Sequence, residues 1–115
     1  MDGFRSAKLL GLWRDVSLGL VLDGKPDLTN RQLTVLLTIY LDPPPHTVRG
    51  LAVKLNVTKP VITRALNAMG KSGLVDRRRD PQDRRNVIIS RTVDGSLYLE
   101  ELADLIDRNW VDQDE

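Results

Sequence analysis

A mainly α-helical fold carrying one small β-hairpin, a winged helix-turn-helix, is predicted for this chain by three observations. Apolar residues recur at helical spacing over five stretches, and the third and fourth stretches are joined by only a short turn. Two β-branched runs with a charged loop between them follow the fourth stretch directly. With 115 residues and 41% apolar content there is room for one domain and a modest core. The chain is therefore read as a single domain over residues 1–115, with residues 47–91 as its central helix-turn-helix and hairpin.

The first helix is expected from Ser6 to Leu22, with Leu9, Leu12, Trp13, Val16 and Leu20 on one stripe. Gly11 and Gly19 weaken it, each by about 1 kcal/mol against Ala. Asp23 to Asp27 is a turn by composition. Thr29-Asn30-Arg31-Gln32 matches a capping box, in which Thr29 and Gln32 satisfy each other's backbone amides. Leu33, Leu36, Leu37 and Tyr40 follow at helical spacing, and the helix should end near Leu41, because Asp42 to Pro45 holds three prolines that remove donors. The sole histidine, His46, closes that loop and is read as structural rather than catalytic.

Thr47 to Val57 reads as a short helix with Val48, Leu51, Ala52 and Leu55 inward, ending in an Asn56-Val57 turn. The next helix has Thr58 as its expected cap, Pro60 in its first turn and Gly73 at its far end. Ile62, Ala65, Leu66 and Met69 recur at i, i+3, i+4 and i+7, so they form the buried face. Lys59, Val61, Thr63, Arg64, Asn67, Ala68 and Lys71 are left outward. That face holds hydrogen-bond donors and methyl groups and no carboxylate, which is what base edges and phosphates require.

Leu74 to Arg79 and Asn86 to Arg91 are strand-like runs flanking Asp80-Pro81-Gln82-Asp83-Arg84-Arg85, a hairpin with a charged tip. Arg84 and Arg85 at that tip are candidates for a minor groove, where negative potential attracts arginine. Thr92 caps a last helix over residues 93–110, with Leu99, Leu102, Ala103, Ile106 and Trp110 as its apolar stripe. Glu100, Glu101, Asp104 and Asp107 take its outer face, and from Trp110 to Glu115 the chain is expected to fray.

Net charge is only +1, yet its distribution is uneven. From Thr47 to Arg91 there are 11 Lys/Arg against 3 Asp/Glu, a block of +8, while Thr92 to Glu115 carries −7 and the first 46 residues are neutral. Clustered cations neutralise phosphates and release counterions, so the block fits a polyanion. A solvated basic surface balanced by an acidic tail is the blander account of the same charges.

The absence of cysteine excludes disulfides, thiolate metal sites and thiol redox sensing from this sequence. The amino end lacks the apolar stretch of a signal peptide, and no run approaches the roughly 20 apolar residues that span a bilayer. A cytoplasmic protein with no membrane association is expected. There is no Gly-rich phosphate loop, metal-ligand cluster or nucleophile with a plausible base, so no catalytic residue, metal or cofactor is expected, and the chain is not read as an enzyme.

Several of these residues resemble the MarR/SlyA-type winged helix-turn-helix transcriptional regulators, in a short variant. The resemblance is carried by Leu28-Thr29 with Gln32, Leu51-Ala52, Thr63-Arg64, Gly73-Leu74-Val75, and above all Arg79-Asp80-Pro81-Gln82-Asp83-Arg84-Arg85 followed by Thr92 and Gly95. It covers residues 28 to 96, and the Asp-Pro-x-Asp-x-Arg wing is its most specific part. It implies a bacterial or archaeal homodimer on a pseudo-palindromic operator, often repressing transcription and often releasing DNA when a small phenolic effector binds. It further implies that Thr58, Lys59, Thr63 and Arg64 meet the major groove, and that Arg85 is the wing arginine with Asp83 as its orienting partner. Family members pair through their terminal helices. Arg91 departs from the pattern, standing where the family usually has an apolar residue.

The expected function is thus a homodimeric regulator, a MarR-like repressor that binds double-stranded DNA in a sequence-specific way. Its expected DNA-binding residues are Thr58, Lys59, Pro60, Val61, Thr63, Arg64, Asn67 and Lys71 on the helix, with Arg79, Asp83, Arg84 and Arg85 on the wing. The expected dimer seam holds Leu9, Trp13, Leu20, Leu102, Ile106 and Trp110, for which core packing is the competing use. The alternative function is a winged-helix adaptor, or a nonspecific DNA-binding protein, that offers the same basic face to a protein or to architectural DNA.

Overall fold

The computed structural model describes residues 3–111. Its helices are α1 (Gly3–Leu22), α2 (Asn30–Leu41), α3 (Val48–Leu55), α4 (Lys59–Lys71) and α5 (Val93–Val111), and its strands are β1 (His46–Thr47), β2 (Val75–Arg79) and β3 (Val87–Arg91). The chain divides into two compact units. One runs from Leu28 to Tyr98, and the other is made of the described residues up to Asp27 and from Leu99 onward, so α5 contributes to both.

In the larger unit, α2 begins with the reciprocal capping box: Thr29 Oγ1 accepts from Gln32 N at 3.1 Å, and Gln32 Oε1 accepts from Thr29 N at 2.9 Å. Its buried positions are Val35, Leu36, Thr38 and Ile39, whereas Leu33 and Leu37 are only half-buried. The expected stripe was therefore displaced to one side. Seven of its twelve residues are large and apolar, and periodicity cannot choose a face when nearly every position qualifies.

His46 and Thr47 are not loop and helix as expected but a two-residue strand. His46 pairs with Ile89 and Thr47 with Ile88, which makes the sheet three-stranded and antiparallel in the order β1-β3-β2. Two residues are too few for alternation to be visible, and the pairing partner lies more than forty positions away. His46 is buried, with Nε2 3.1 Å from the Asp42 carbonyl oxygen. Thr47 also caps α3, its hydroxyl accepting from Gly50 N at 3.0 Å.

The core of this unit joins Leu36 and Ile39 of α2, Leu51 and Ala52 of α3, Ile62, Leu66 and Met69 of α4, and Val75 and Ile89 of the sheet. Val48 and Leu55, expected inward, are half-buried. Ile62, Leu66 and Met69 are fully enclosed, each worth about 1.5–3 kcal/mol of burial.

In the smaller unit Val16 is fully buried with Leu102 and Leu105. Here Leu105 replaces Leu99, Ala103 and Ile106 of the expected α5 stripe, and Ala103 is exposed; Tyr98, the last residue of the larger unit, is buried in that unit. Gly19 leaves room for the Leu105 side chain, which a Cβ there would overlap. Glu101, expected outward, is half-buried and ion-paired with Lys25. Trp110 and Val111 remain helical, and the rest of the expected fraying lies outside the described residues. No helix among the described residues is long and apolar enough to cross a membrane.

Candidate nucleic-acid interface

The turn between α3 and α4 is fixed by Asn56, whose φ of 55° is in the left-handed region that Asn tolerates better than most residues. Val57 N donates to Ala52 O at 3.0 Å and Asn56 N to Val53 O at 3.2 Å, closing the end of α3. Thr58 occupies the amino-terminal cap of α4 without the expected side-chain bond. Its carbonyl accepts instead from Val61 N, and the Thr58 hydroxyl makes no capping bond. Pro60 sits in the first turn, where the missing N–H is no loss. At the far end Gly73 has φ +74°, and Leu74 N donates to Met69 O and Gly73 N to Gly70 O, both at 3.0 Å. This closure turns the chain directly into β2.

A part-buried polar knot then holds the two feet of the hairpin. The Tyr40 hydroxyl lies 3.0 Å from the Leu74 carbonyl oxygen and 3.1 Å from that of Thr92, and accepts from Thr92 N at 2.9 Å. The Thr92 hydroxyl donates to Gly73 O at 2.7 Å and accepts from Gly95 N at 3.0 Å. Gly95 must be glycine, since a Cβ there would collide with the Tyr40 hydroxyl and the Leu74 carbonyl. Arg91 adds a second tie. Its Nε donates to Ile39 O at 2.9 Å and its Nη2 to Asp42 O at 3.1 Å, so a cation caps the carboxyl end of α2.

The hairpin tip is organised locally. Arg85 Nε and backbone N donate to Asp83 Oδ1 at 3.1 and 3.2 Å, and Arg85 Nη2 lies 3.4 Å from Oδ2. The side-chain bond from Arg85, then its backbone bond, hold the Asp83 carboxyl below the ordinary aspartate range. Arg79 Nη1 donates to Arg84 O at 2.8 Å, so this arginine braces the tip from inside. Asp80 closes the loop's first bend by accepting from Gln82 N.

Lys59 and Thr63 of α4 line a groove of about 160 Å³ together with Arg49 of α3 and Arg85 and Asn86 of the wing. Asn67 and Lys71 line a separate trough with Gly70, Val75, Asp76 and Arg77. Pro60, Arg64 and Arg84 are exposed and Val61 is half-buried, and none of these four lines either cavity. Arg49 was missing from the expected site. Its only sequence signal was membership of the basic block, and only the fold brings it from the start of α3 to the wing. The six residues of the expected dimer seam separate. Leu102 is a core residue and Leu20 is half-buried, whereas Leu9, Trp13 and Trp110 are about half exposed and Ile106 is 38% exposed.

A helix-turn-helix whose second helix leads into a basic antiparallel hairpin defines the winged-helix class. Comparison with known proteins narrows it: a model of the MarR family matches residues 28–87, and the chain belongs to that family. The organic hydroperoxide resistance transcriptional regulator of Bacillus subtilis is 32% identical over 81 residues, covering 70% of this chain and 54% of the relative, so the chain spans about half of that protein's length. Among solved structures, overoxidized AbfR bound to DNA superposes with a TM-score of 0.68 at 26% identity, covering 91% of this chain and 75% of that one. A mutant of S. aureus MepR bound to an oligodeoxyribonucleotide gives 0.78 at 24% identity, covering 91% and 74%. The sequence here has no cysteine.

Proposed function

We propose that the chain is a transcriptional regulator that binds double-stranded DNA in a sequence-specific manner and acts in the cytoplasm as a homodimeric repressor. The observation that carries this reading is the convergence of Lys59 and Thr63, Arg49 and Arg85 from three separate elements on one groove. Arg85 is paired with Asp83, but Lys59 and Arg49 make no ion pair among the described residues, so the groove keeps a positive charge that phosphate complements. Thr63, Arg64 and Asn67, outward on α4, offer the donors and methyl group that base edges accept. Thr58, Lys59, Pro60, Val61 and Lys71 flank them, and Arg84 and Arg85 extend toward the adjacent minor groove. Asp83 orients Arg85 and Arg79 props the loop, each acting through another residue. That the two solved relatives are bound to DNA supports the DNA-binding reading. Leu9, Trp13, Ile106 and Trp110, large apolar side chains left open to solvent, support pairing with a second copy.

The test is selection of bound sequences from a random duplex library at near-physiological salt, followed by titration of Arg85→Ala on the enriched duplex. An enriched inverted repeat, with half-sites about one helical turn apart, is expected. Arg85→Ala should weaken binding to it. No enrichment together with steep salt dependence points instead to nonspecific DNA binding, or to an adaptor with an acidic protein partner.

A further inference from the structure

We infer that the trough between α4 and β2 is a track for one sugar-phosphate strand, and that Arg77 is a phosphate ligand within it; this rests on the DNA reading above. The major and minor grooves of a duplex are separated by a single backbone. If α4 fills the major groove and the wing tip reaches the next minor groove, that backbone runs between α4 and the wing. The two cavities lie in succession along this same flank of α4, the first at Lys59 and Thr63 and the second at Asn67, Gly70 and Lys71. From Lys59 to Lys71 is about 18 Å of helix at about 1.5 Å per residue. One phosphate advances about 3.4 Å along the duplex, so a strand laid there meets the flank at more than one phosphate.

Strand geometry selects which arginine faces the track. Arg77 is directly opposite Ile89, a core residue, so its side chain lies on the α4 side of the sheet. Arg78, opposite the half-buried Ile88, lies on the other side. The Arg77 guanidinium lies beside α4 at Gly70, with Nη2 3.9 Å from where a Cβ on that glycine would stand. Asp76 also lines the trough, but its Oδ1 is turned back to accept from Arg77 N at 3.0 Å. Arg79, Arg85 and Arg91 each commit one or two guanidinium N–H groups to protein oxygens, and the remaining N–H groups of Arg85 stay available to DNA at the tip. Among the described residues Arg77 and Lys71 make no ion pair, although both are exposed beside the trough.

The test compares Arg77→Gln with Arg78→Gln on the full chain, measuring affinity for the enriched duplex and a scrambled one across a salt series. For Arg77→Gln the slope of log affinity against log salt should fall by about 0.9, the value of one lost phosphate contact on B-form DNA. Both duplexes should weaken by the same factor, and Arg78→Gln should leave the slope unchanged. An unchanged slope in Arg77→Gln, an equal fall in both variants, or a loss confined to the enriched duplex overturns the inference while the DNA reading stands. Failure of the unsubstituted chain to bind either duplex removes both.

Discussion

The two ends of the wing are held by opposite means. At its feet, Tyr40, Thr92, Gly73 and Gly95 form a part-buried network that joins residues as many as 52 positions apart. At its tip, Asp83 and Arg85 are two residues apart and hold each other in solvent. The difference separates folding from reading. A hydrogen bond made away from water leaves an unsatisfied group when broken, whereas an exposed ion pair exchanges its partner for water at little cost. Substitutions at the feet should therefore destabilise the protein, and substitutions at the tip should leave its stability intact but impair binding.

The largest effect is expected at Gly95. A side chain there meets the Tyr40 hydroxyl and the Leu74 backbone together, and the Leu74 carbonyl cannot move without disturbing the closure of α4 at Gly73. Gly95→Ala should lower stability by about 3 kcal/mol, the upper part of the overpacking range, read as a lower urea midpoint with unchanged slope. A midpoint within error of the parent would show that the feet of the wing yield more easily than the hydrogen-bond network implies.

An intermediate effect is expected at Arg91, which ties the hairpin's last strand to the end of α2. Arg91→Ala should cost about 0.5–1 kcal/mol, as expected for an exposed cation at a helix carboxyl terminus, and should leave the salt slope of DNA binding untouched. A fall in that slope would move Arg91 from the scaffold to the reading surface.

Arg91 also marks where sequence reading stops. The helix-turn-helix was legible because Ile62, Ala65, Leu66 and Met69 repeat within one helix and Gly73 closes it locally. The Asp83–Arg85 contact was legible for the same reason, being two residues long. Arg91 reaches Ile39 across 52 positions, and Arg49 reaches the wing only after α3 has packed. Neither pairing leaves a periodic trace. Thr58 shows the converse: a good cap residue stood at the cap position, and its hydroxyl took no part.

The smallest effect on stability and the sharpest test of the tip both belong to Asp83→Asn. The urea midpoint should be unchanged within error, because the side chain is part-exposed at a loop tip. For DNA binding, charge and geometry act in opposite directions. Removing a carboxylate beside Arg85 reduces repulsion from phosphate, so charge alone predicts tighter binding. If Asp83 acts by holding the Arg85 guanidinium in place, binding to the enriched duplex should weaken several-fold despite that gain. Acid cannot substitute for the mutation near neutrality. The Asp83 carboxyl is held below its ordinary range, so its pairing is fully present above that range and is lost only as the pH falls through the lowered value. Parent affinity should thus show no change from this pair between about pH 5 and 8, while Asp83→Asn is weaker throughout that window. Tighter binding by the variant would mean that Arg85 finds its place without help, leaving Asp83 as a residual cost at the tip.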